Sequence, residues 1–256
     1  MRNWIKALRL PITLLAGLLS VVAFKLVGRI NESFLPTLIV ISVASATMMQ
    51  NDLRDRFHDI KKGKVFTTKN YNNFWLITVL LWLFSLLLIL YGWMYHGSSG
   101  LLPLLAVIVG LIYSETRRLP LVPIILVSLT SAAPALFPIF LGYSAPILWY
   151  LYIVTVLIIF SREMIKDIED SLIDGGYKWT LPLYLDLGNH SSKWLLGAFL
   201  LVVSLVITSV YFQTIVIALF FIPTLALLLA GRSTKSIKRA MDVGILATLI
   251  FMLLEK

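Results

Sequence analysis

The stretch REMIKDIEDSLID, Arg162 to Asp174, stacks acids and bases directly behind a run of hydrocarbon, PILWYLYIVTVLIIF, Pro146 to Phe160. An earlier string, NDLRDRFHD from Asn51 to Asp59, does the same behind LIVISVASATMMQ, Leu38 to Gln50. Together they hold most of the chain's 13 Asp and Glu residues. Carboxylates beside hydrocarbon are expensive to keep, so their presence there points to function. Polar residues recur every four positions: Asn51, Asp55 and Asp59 in one string, Arg162, Lys166, Asp170 and Asp174 in the other. Glu163 and Asp167 form a second stripe beside the latter. On a helix that spacing stacks side chains along one face at about 6 Å per step. Two such faces turned toward each other make a cage for a divalent metal, and such a cage in a membrane suits a phosphorylated lipid.

Composition fixes the setting. The chain is 59% apolar and only 14% charged, outside the range of soluble domains. Its apolar runs approach the roughly 20 residues that cross a bilayer. Nine spans are expected, near 10–28, 34–51, 73–95, 101–114, 121–141, 146–165, 193–211, 214–230 and 240–254. The opening residues imitate a secretory signal, but no small-residue cleavage site follows, so they read as the first span. The absence of cysteine excludes disulfides and thiolate metal sites. Of the 22 Lys and Arg residues, all but Lys25, Arg29 and Lys256 fall on one side of this nine-span arrangement. That asymmetry places the N-terminus in the cytoplasm and the C-terminus outside. It also accounts for the net charge of +9 without nucleic acid. Arg232, Lys235, Lys238 and Arg239 form a basic patch suited to anionic lipid headgroups.

With this arrangement both acidic strings fall in cytoplasmic connections, expected as the longest loops, whereas the external connections are minimal. No linker of Pro, Gly, Ser or charge divides the chain, so residues 1–256 read as one domain. Pro134 and Pro138 lie inside the fifth span, where proline removes a backbone bond and bends a helix.

Magnesium takes hard oxygen ligands, usually one or two carboxylates completed by waters and substrate phosphates. Two acidic faces offer carboxylates for two or three such ions against a diphosphate. Cations are needed there in any case, because crowded carboxylates repel one another. The plain alternative is a pair of solvated loops whose acids pair with neighbouring Lys and Arg. A proton or sodium pathway would place ionisable groups nearer mid-bilayer, where these spans carry almost none.

The strings resemble the two aspartate-rich motifs of the UbiA superfamily of intramembrane prenyltransferases. Asn51, Asp52, Asp55 and Asp59 match N-D-x-x-D-x-x-x-D. The second string matches R-E-x-x-K-D-I-E-D-x-x-x-D from Arg162 to Asp174, in wording most similar to archaeal-type enzymes that prenylate a glycerol-phosphate lipid. Gly176, Thr180, Leu181 and Pro182 are similar to the family's G-x-x-T-L-P stretch, with one extra residue. Arg9-Leu-Pro11 is similar to its R-P opening, and Tyr113-Ser114 with Arg117 and Arg118 to its Y-S and basic pair. One departure stands out: behind the first string the chain reads IKKGKVFTTK, Ile60 to Lys69, where the family carries an Arg-Pro pair.

The resemblance implies an all-α polytopic membrane protein, nine transmembrane helices in one bundle around a central cavity. It implies magnesium-dependent transfer of a prenyl group from a polyprenyl diphosphate to a lipid or aromatic acceptor, in the cell membrane and on its cytoplasmic side. Asp55, Asp59, Asp170 and Asp174 would carry Mg2+. Asn51, Arg162, Lys166, Arg117 and Arg118 would bind the diphosphate, and Asp52, Asp167 and Glu169 would support them or meet the acceptor. Lys61, Lys62 and Lys64 would supply the charge of the missing Arg-Pro pair. The isoprenoid tail needs an apolar tunnel open to lipid.

Other features carry less. Trp75, Trp82 and Trp93 read as packing or interfacial-belt residues. His58 falls within the first string but reads as a loop residue, although a base toward an acceptor hydroxyl is the other possibility. No nucleophile elbow, P-loop or dinucleotide fingerprint appears. Two rival readings remain: a terpene cyclase of the same fold, and a non-catalytic lipid carrier that lost activity with the Arg-Pro segment.

Overall fold

The computed structural model describes residues 4, 8–61, 65–97, 101, 103–113, 116, 119, 122–174, 202 and 216–255, with the side chains of 168–174 excepted. Helices are the only extended elements among them, as expected where no water can satisfy an open backbone. In chain order they are α1 (Leu10–Leu26), α2 (Phe34–Lys61), α3 (Tyr71–His96), α4 (Pro103–Tyr113), α5 (Val122–Ala132), α6 (Pro146–Asp174), α7 (Ile222–Leu229) and α8 (Thr234–Leu254). Among the described residues four helical stretches are long and apolar enough to cross a membrane: Phe34–Lys61, Tyr71–His96, Val122–Phe140 and Pro146–Asp167. The expected span 193–211 lies outside the described residues.

Two boundaries differ from the expectation in a way that matters for function. α2 does not stop at residue 51 but runs 28 residues to Lys61. α6 does not stop at 165 but runs 29 residues to Asp174. The acidic strings are therefore the final turns of long helices and not loops. Neither string contains glycine or proline, and the first such residues beyond them are Gly63 and Gly175. With no breaker present, the i to i+4 backbone ladder continues through the charged turns.

Smaller departures have equally local causes. The expected span 214–230 is interrupted at Phe220 and Phe221, where Pro223, in the first turn of α7, cannot donate to an earlier carbonyl. Pro134 turns the end of α5 into a 3-10 segment, Ala133–Leu136, before α-geometry resumes at Phe137–Phe140. The basic patch, expected in a loop, lies at the start of α8, with Ser233 as its N-cap accepting from the Ser236 amide.

The chain forms two compact units. The first comprises residues 1–115 and 137–144. There α2 packs between α1 and α3, with Ile39, Val43, Ile89 and Val107 in one core cluster and Met49, Leu53 and Phe74 in another. Trp4, Phe66 and Phe74 form an aromatic group around that second cluster, with ring centroids 5.1 to 6.3 Å apart. The outer face of α3 exposes Leu76, Leu80, Leu83, Phe84, Leu87, Leu90 and Met94, a surface fit for hydrocarbon. On the side away from the string, the Tyr143 hydroxyl donates to Glu32 at 2.7 Å, which raises the phenol above its ordinary pKa.

The second unit comprises residues 116–136 and 145–256. α5 packs on α6. α6 buries Leu148, Leu151, Val154, Ile158, Ser161 and Ile165, a stripe at helical spacing. Val154, Ile158 and Ile165 share a cluster with Phe221, Leu228, Ile237 and Met241, which locks α6 to α7 and α8. α8 comes close because Gly244 lies against Phe220 and Phe221, where a Cβ would stand 3.1 Å from the Phe220 carbonyl oxygen.

A comparable close approach exists in the first unit. A Cβ on Gly110 of α4 would fall 2.5 Å from Thr47 Oγ1 on α2. Thr47 is β-branched and rotates poorly on a helix. Gly110→Ala should therefore lower stability by about 1–3 kcal/mol, the cost of overpacking. Thr47→Ala in the same protein should recover most of it. Thermal melts in detergent check both, and an unchanged melt for Gly110→Ala would show that the two helices are not in contact there.

Candidate active site

In the first unit the string forms the last turns of α2. Arg54, Phe57, Ile60 and Lys61 point outward, whereas Leu53, Asp55, His58 and Asp59 are buried. The four-residue rhythm thus survives as a face carrying Asn51, Asp55 and Asp59. Asp55 is only 4% exposed and Asp59 9%. Asn51 is half-buried, and its Nδ2 donates to Asp55 Oδ2 at 3.4 Å, a long contact that aims the carboxylate. His58, expected as a loop residue, is buried on the helix one turn from Asp55.

Asp52 has a partner 43 residues away in sequence. Arg9 Nη2 donates to Asp52 Oδ1 at 2.7 Å, and Nη1 lies 3.5 Å from Met48 Sδ. Arg9 makes this contact from a left-handed backbone, φ 48° and ψ 38°, just ahead of α1. It is the one non-glycine residue with positive φ among those described. Arg56 turns the other way: its guanidinium sits 4.3 Å from the Phe57 ring and 4.8 Å from Tyr71, and Nη1 donates to the Leu53 carbonyl.

In the second unit the opening of the other string is a chain of ion pairs. Arg162 Nε donates to Asp242 Oδ1 at 2.8 Å and Nη2 to Asp242 Oδ2 at 3.4 Å. Arg162 Nη1 donates to Glu163 Oε1 at 2.7 Å, and Lys166 Nζ to Glu163 Oε2 at 2.5 Å. Arg162, expected on a diphosphate, thus aims three of its donors at protein carboxylates. Lys166 engages Glu163 from a more open position, its side chain 33% exposed against 13% for Arg162. Asp167 is half-buried. Glu169, Asp170 and Asp174 continue the same helix, but their side chains lie outside the described residues, as do Arg117, Arg118, Lys62, Lys64 and the Gly176-to-Pro182 match.

Two contributors escaped sequence reading. Arg9 was visible only as a weak match to a motif, with no assigned role. Asp242 stood apart from both strings as a single acid in the ninth span. Its one signal was that isolation, since a carboxylate within an apolar helix needs a partner.

The described part of the site suits magnesium by donor chemistry. Asp55 and Asp59 are hard oxygen donors one turn apart on a buried face. Among the described residues no three His, Asp or Glu side chains converge on one point. Two carboxylates are nevertheless what magnesium commonly takes when phosphates and waters complete its shell.

No family model matches the sequence, and no curated protein matches it. Solved structures do. The apo structure of a UbiA homologue from Aeropyrum pernix K1 superposes with a TM-score of 0.75 at 15% identity, covering 95% of this chain and 98% of that one. A UbiA homologue from Archaeoglobus fulgidus, bound to GPP and Mg2+, gives 0.67 at 15% identity over 98% of each chain. A structure reported for the digeranylgeranylglyceryl phosphate synthase of membranes gives 0.65 at 17% identity, again over 98% of each. At such identities the likeness establishes the fold: this chain is helical throughout its described elements and folds as the UbiA homologues do.

The Arg9 contact yields a test. Arg9→Ala loses the ion pair and keeps the strained φ, whereas Arg9→Gly loses the pair but relieves the backbone, a difference of about 1 kcal/mol. Melts should therefore rank wild type above Arg9→Gly and Arg9→Gly above Arg9→Ala. The reverse order of the two variants would remove the left-handed turn from the account.

Proposed function

We propose that this protein is a magnesium-dependent intramembrane prenyltransferase. It would move a prenyl group from a polyprenyl diphosphate to a lipid or aromatic acceptor and release pyrophosphate. The observation that carries the reading is the burial of Asp55 and Asp59 on one face at the end of a helix of membrane-spanning length. Two carboxylates one turn apart there are hard oxygen donors of the kind magnesium takes, and the fold is one in which a homologue was solved with GPP and Mg2+.

In this reading residues 1–256 form one transmembrane domain with nine spans, a cytoplasmic N-terminus and the active site on the cytoplasmic side of the cell membrane. The support is the charge asymmetry of the connections, together with the four long and two shorter apolar helices seen. Asp55 and Asp59, with Asp170 and Asp174 from the second string, would hold Mg2+. Bound magnesium would offset the negative charge that grows on the diphosphate as the allylic C–O bond breaks.

The chain's own groups do the rest. Asn51 keeps Asp55 aimed. Lys166, with Arg117 and Arg118, would donate N–H bonds to phosphate oxygens. Asp52, Asp167 and Glu169 would orient these groups or meet the acceptor. Apolar helices around the tail exclude water, so the allylic carbon is captured by the acceptor and not by hydroxide. A carbon–acceptor bond replaces the C–O bond, pyrophosphate leaves, and the acceptor gives up its proton.

The test is pyrophosphate release by purified protein, screened over donor lengths and pooled lipid and aromatic acceptors. Release that requires both donor and acceptor is expected. Release without acceptor would indicate cyclisation, and none from any donor with lipid still bound would indicate a carrier. Asp55→Ala, Asp59→Ala and Asp170→Ala should each cut turnover by at least about 100-fold, the scale of losing one electrostatic contact to a transition state. EDTA should abolish turnover and magnesium restore it.

A further inference from the structure

The ion pairs at the start of the second string link two different helices. Asp242 lies on α8, Arg162, Glu163 and Lys166 on α6, and the contacts run in series from Asp242 to Arg162, to Glu163, to Lys166. Signs alternate along this series, so each charge is flanked by its opposite. The Arg162 and Glu163 side chains are 13% and 12% exposed, and that of Asp242 is 34% exposed.

The apolar frame fixes where the series begins. Met241, beside Asp242, is fully buried with Ile158 and Ile165, which flank Arg162 on α6. Gly244, half a turn further on, is pressed against Phe220 and Phe221. The backbone at Asp242 is therefore held in place, and Arg162 reaches its carboxylate from α6. Its planar fork suits that job: Nε and Nη2 face the two Asp242 oxygens while Nη1 reaches Glu163. Glu163 then presents its second oxygen to Lys166, whose side chain is 33% exposed at the far end of the series.

We propose that Asp242 is a positioning residue for the second acidic string, acting through Arg162 and Glu163 to hold Lys166 where it meets the diphosphate. Arg162 belongs to this support and not to the phosphate contact. The phosphate end of the inference rests on the prenyltransferase reading above, whereas the anchoring of the string does not.

The experiment has two arms, so the two ideas fail separately. Hydrogen exchange over residues 160–174 is measured in the purified full-length protein without substrate. Protection should fall in Asp242→Ala and Asp242→Asn and return in Asp242→Glu. Unchanged protection in Asp242→Ala would overturn the anchoring, and with it the proposal. The second arm titrates a non-reactive thio-analogue of a prenyl diphosphate, with magnesium, by calorimetry. Kd should rise by about tenfold in Asp242→Asn, within the range seen for residues coupled through one salt-bridge network.

The paired variant Arg162→Met with Asp242→Leu separates support from mere stability. Replacing both partners of a buried pair with apolar residues often preserves stability, and Glu163 keeps its contact to Lys166 in this variant. It should melt near wild type yet bind the analogue as weakly as Asp242→Asn. Wild-type affinity in that variant would overturn the positioning role. Should the wild type bind no analogue while exchange still depends on Asp242, the prenyltransferase reading falls and the anchoring stands.

Discussion

Placing carboxylates at the ends of hydrocarbon helices obliges the fold to supply compensating charge from elsewhere in the chain, and both compact units do so with an arginine. In the first, Arg9 reaches from ahead of α1 to Asp52 on α2 at 2.7 Å. In the second, Arg162 on α6 answers Asp242 on α8. Both pairs are partly withdrawn from water and join segments far apart in sequence. Arg9 thus engages Asp52, and Arg162 engages Glu163 as well as Asp242.

Apolar packing gives these charges their precision. Gly110 and Gly244 let helices approach to distances at which a methyl group would collide. The Trp4, Phe66 and Phe74 rings and the Met241 cluster then stop the helices from sliding. Charges carried on helices packed in this way suit electrostatic stabilisation, which depends on dipoles and charges that do not reorganise during a reaction.

Much of this was legible in the chain. Hydropathy alone located the helices that begin at residues 10, 34, 71, 103, 122 and 146, because backbone in hydrocarbon has no alternative to a helix. The four-residue rhythm correctly put Asn51, Asp55 and Asp59 on one face. Charge suggests solvated loops for the two strings and for His58, whereas the decisive local fact is the lack of glycine or proline before Gly63 and Gly175. Which acid answers Arg162 could not be read, since pairing between positions 162 and 242 is set by how α6 and α8 pack, and nothing local to either residue reports that.

The account's central claim is that Asp55 and Asp59 form a cation-dependent diphosphate site. Equilibrium binding of a non-reactive prenyl diphosphate analogue, with and without magnesium, tests it most directly when wild type is compared with Asp55→Asn. The account predicts tight binding only for wild type with magnesium. Equal affinity without the metal, or in the Asp55→Asn protein, would contradict it.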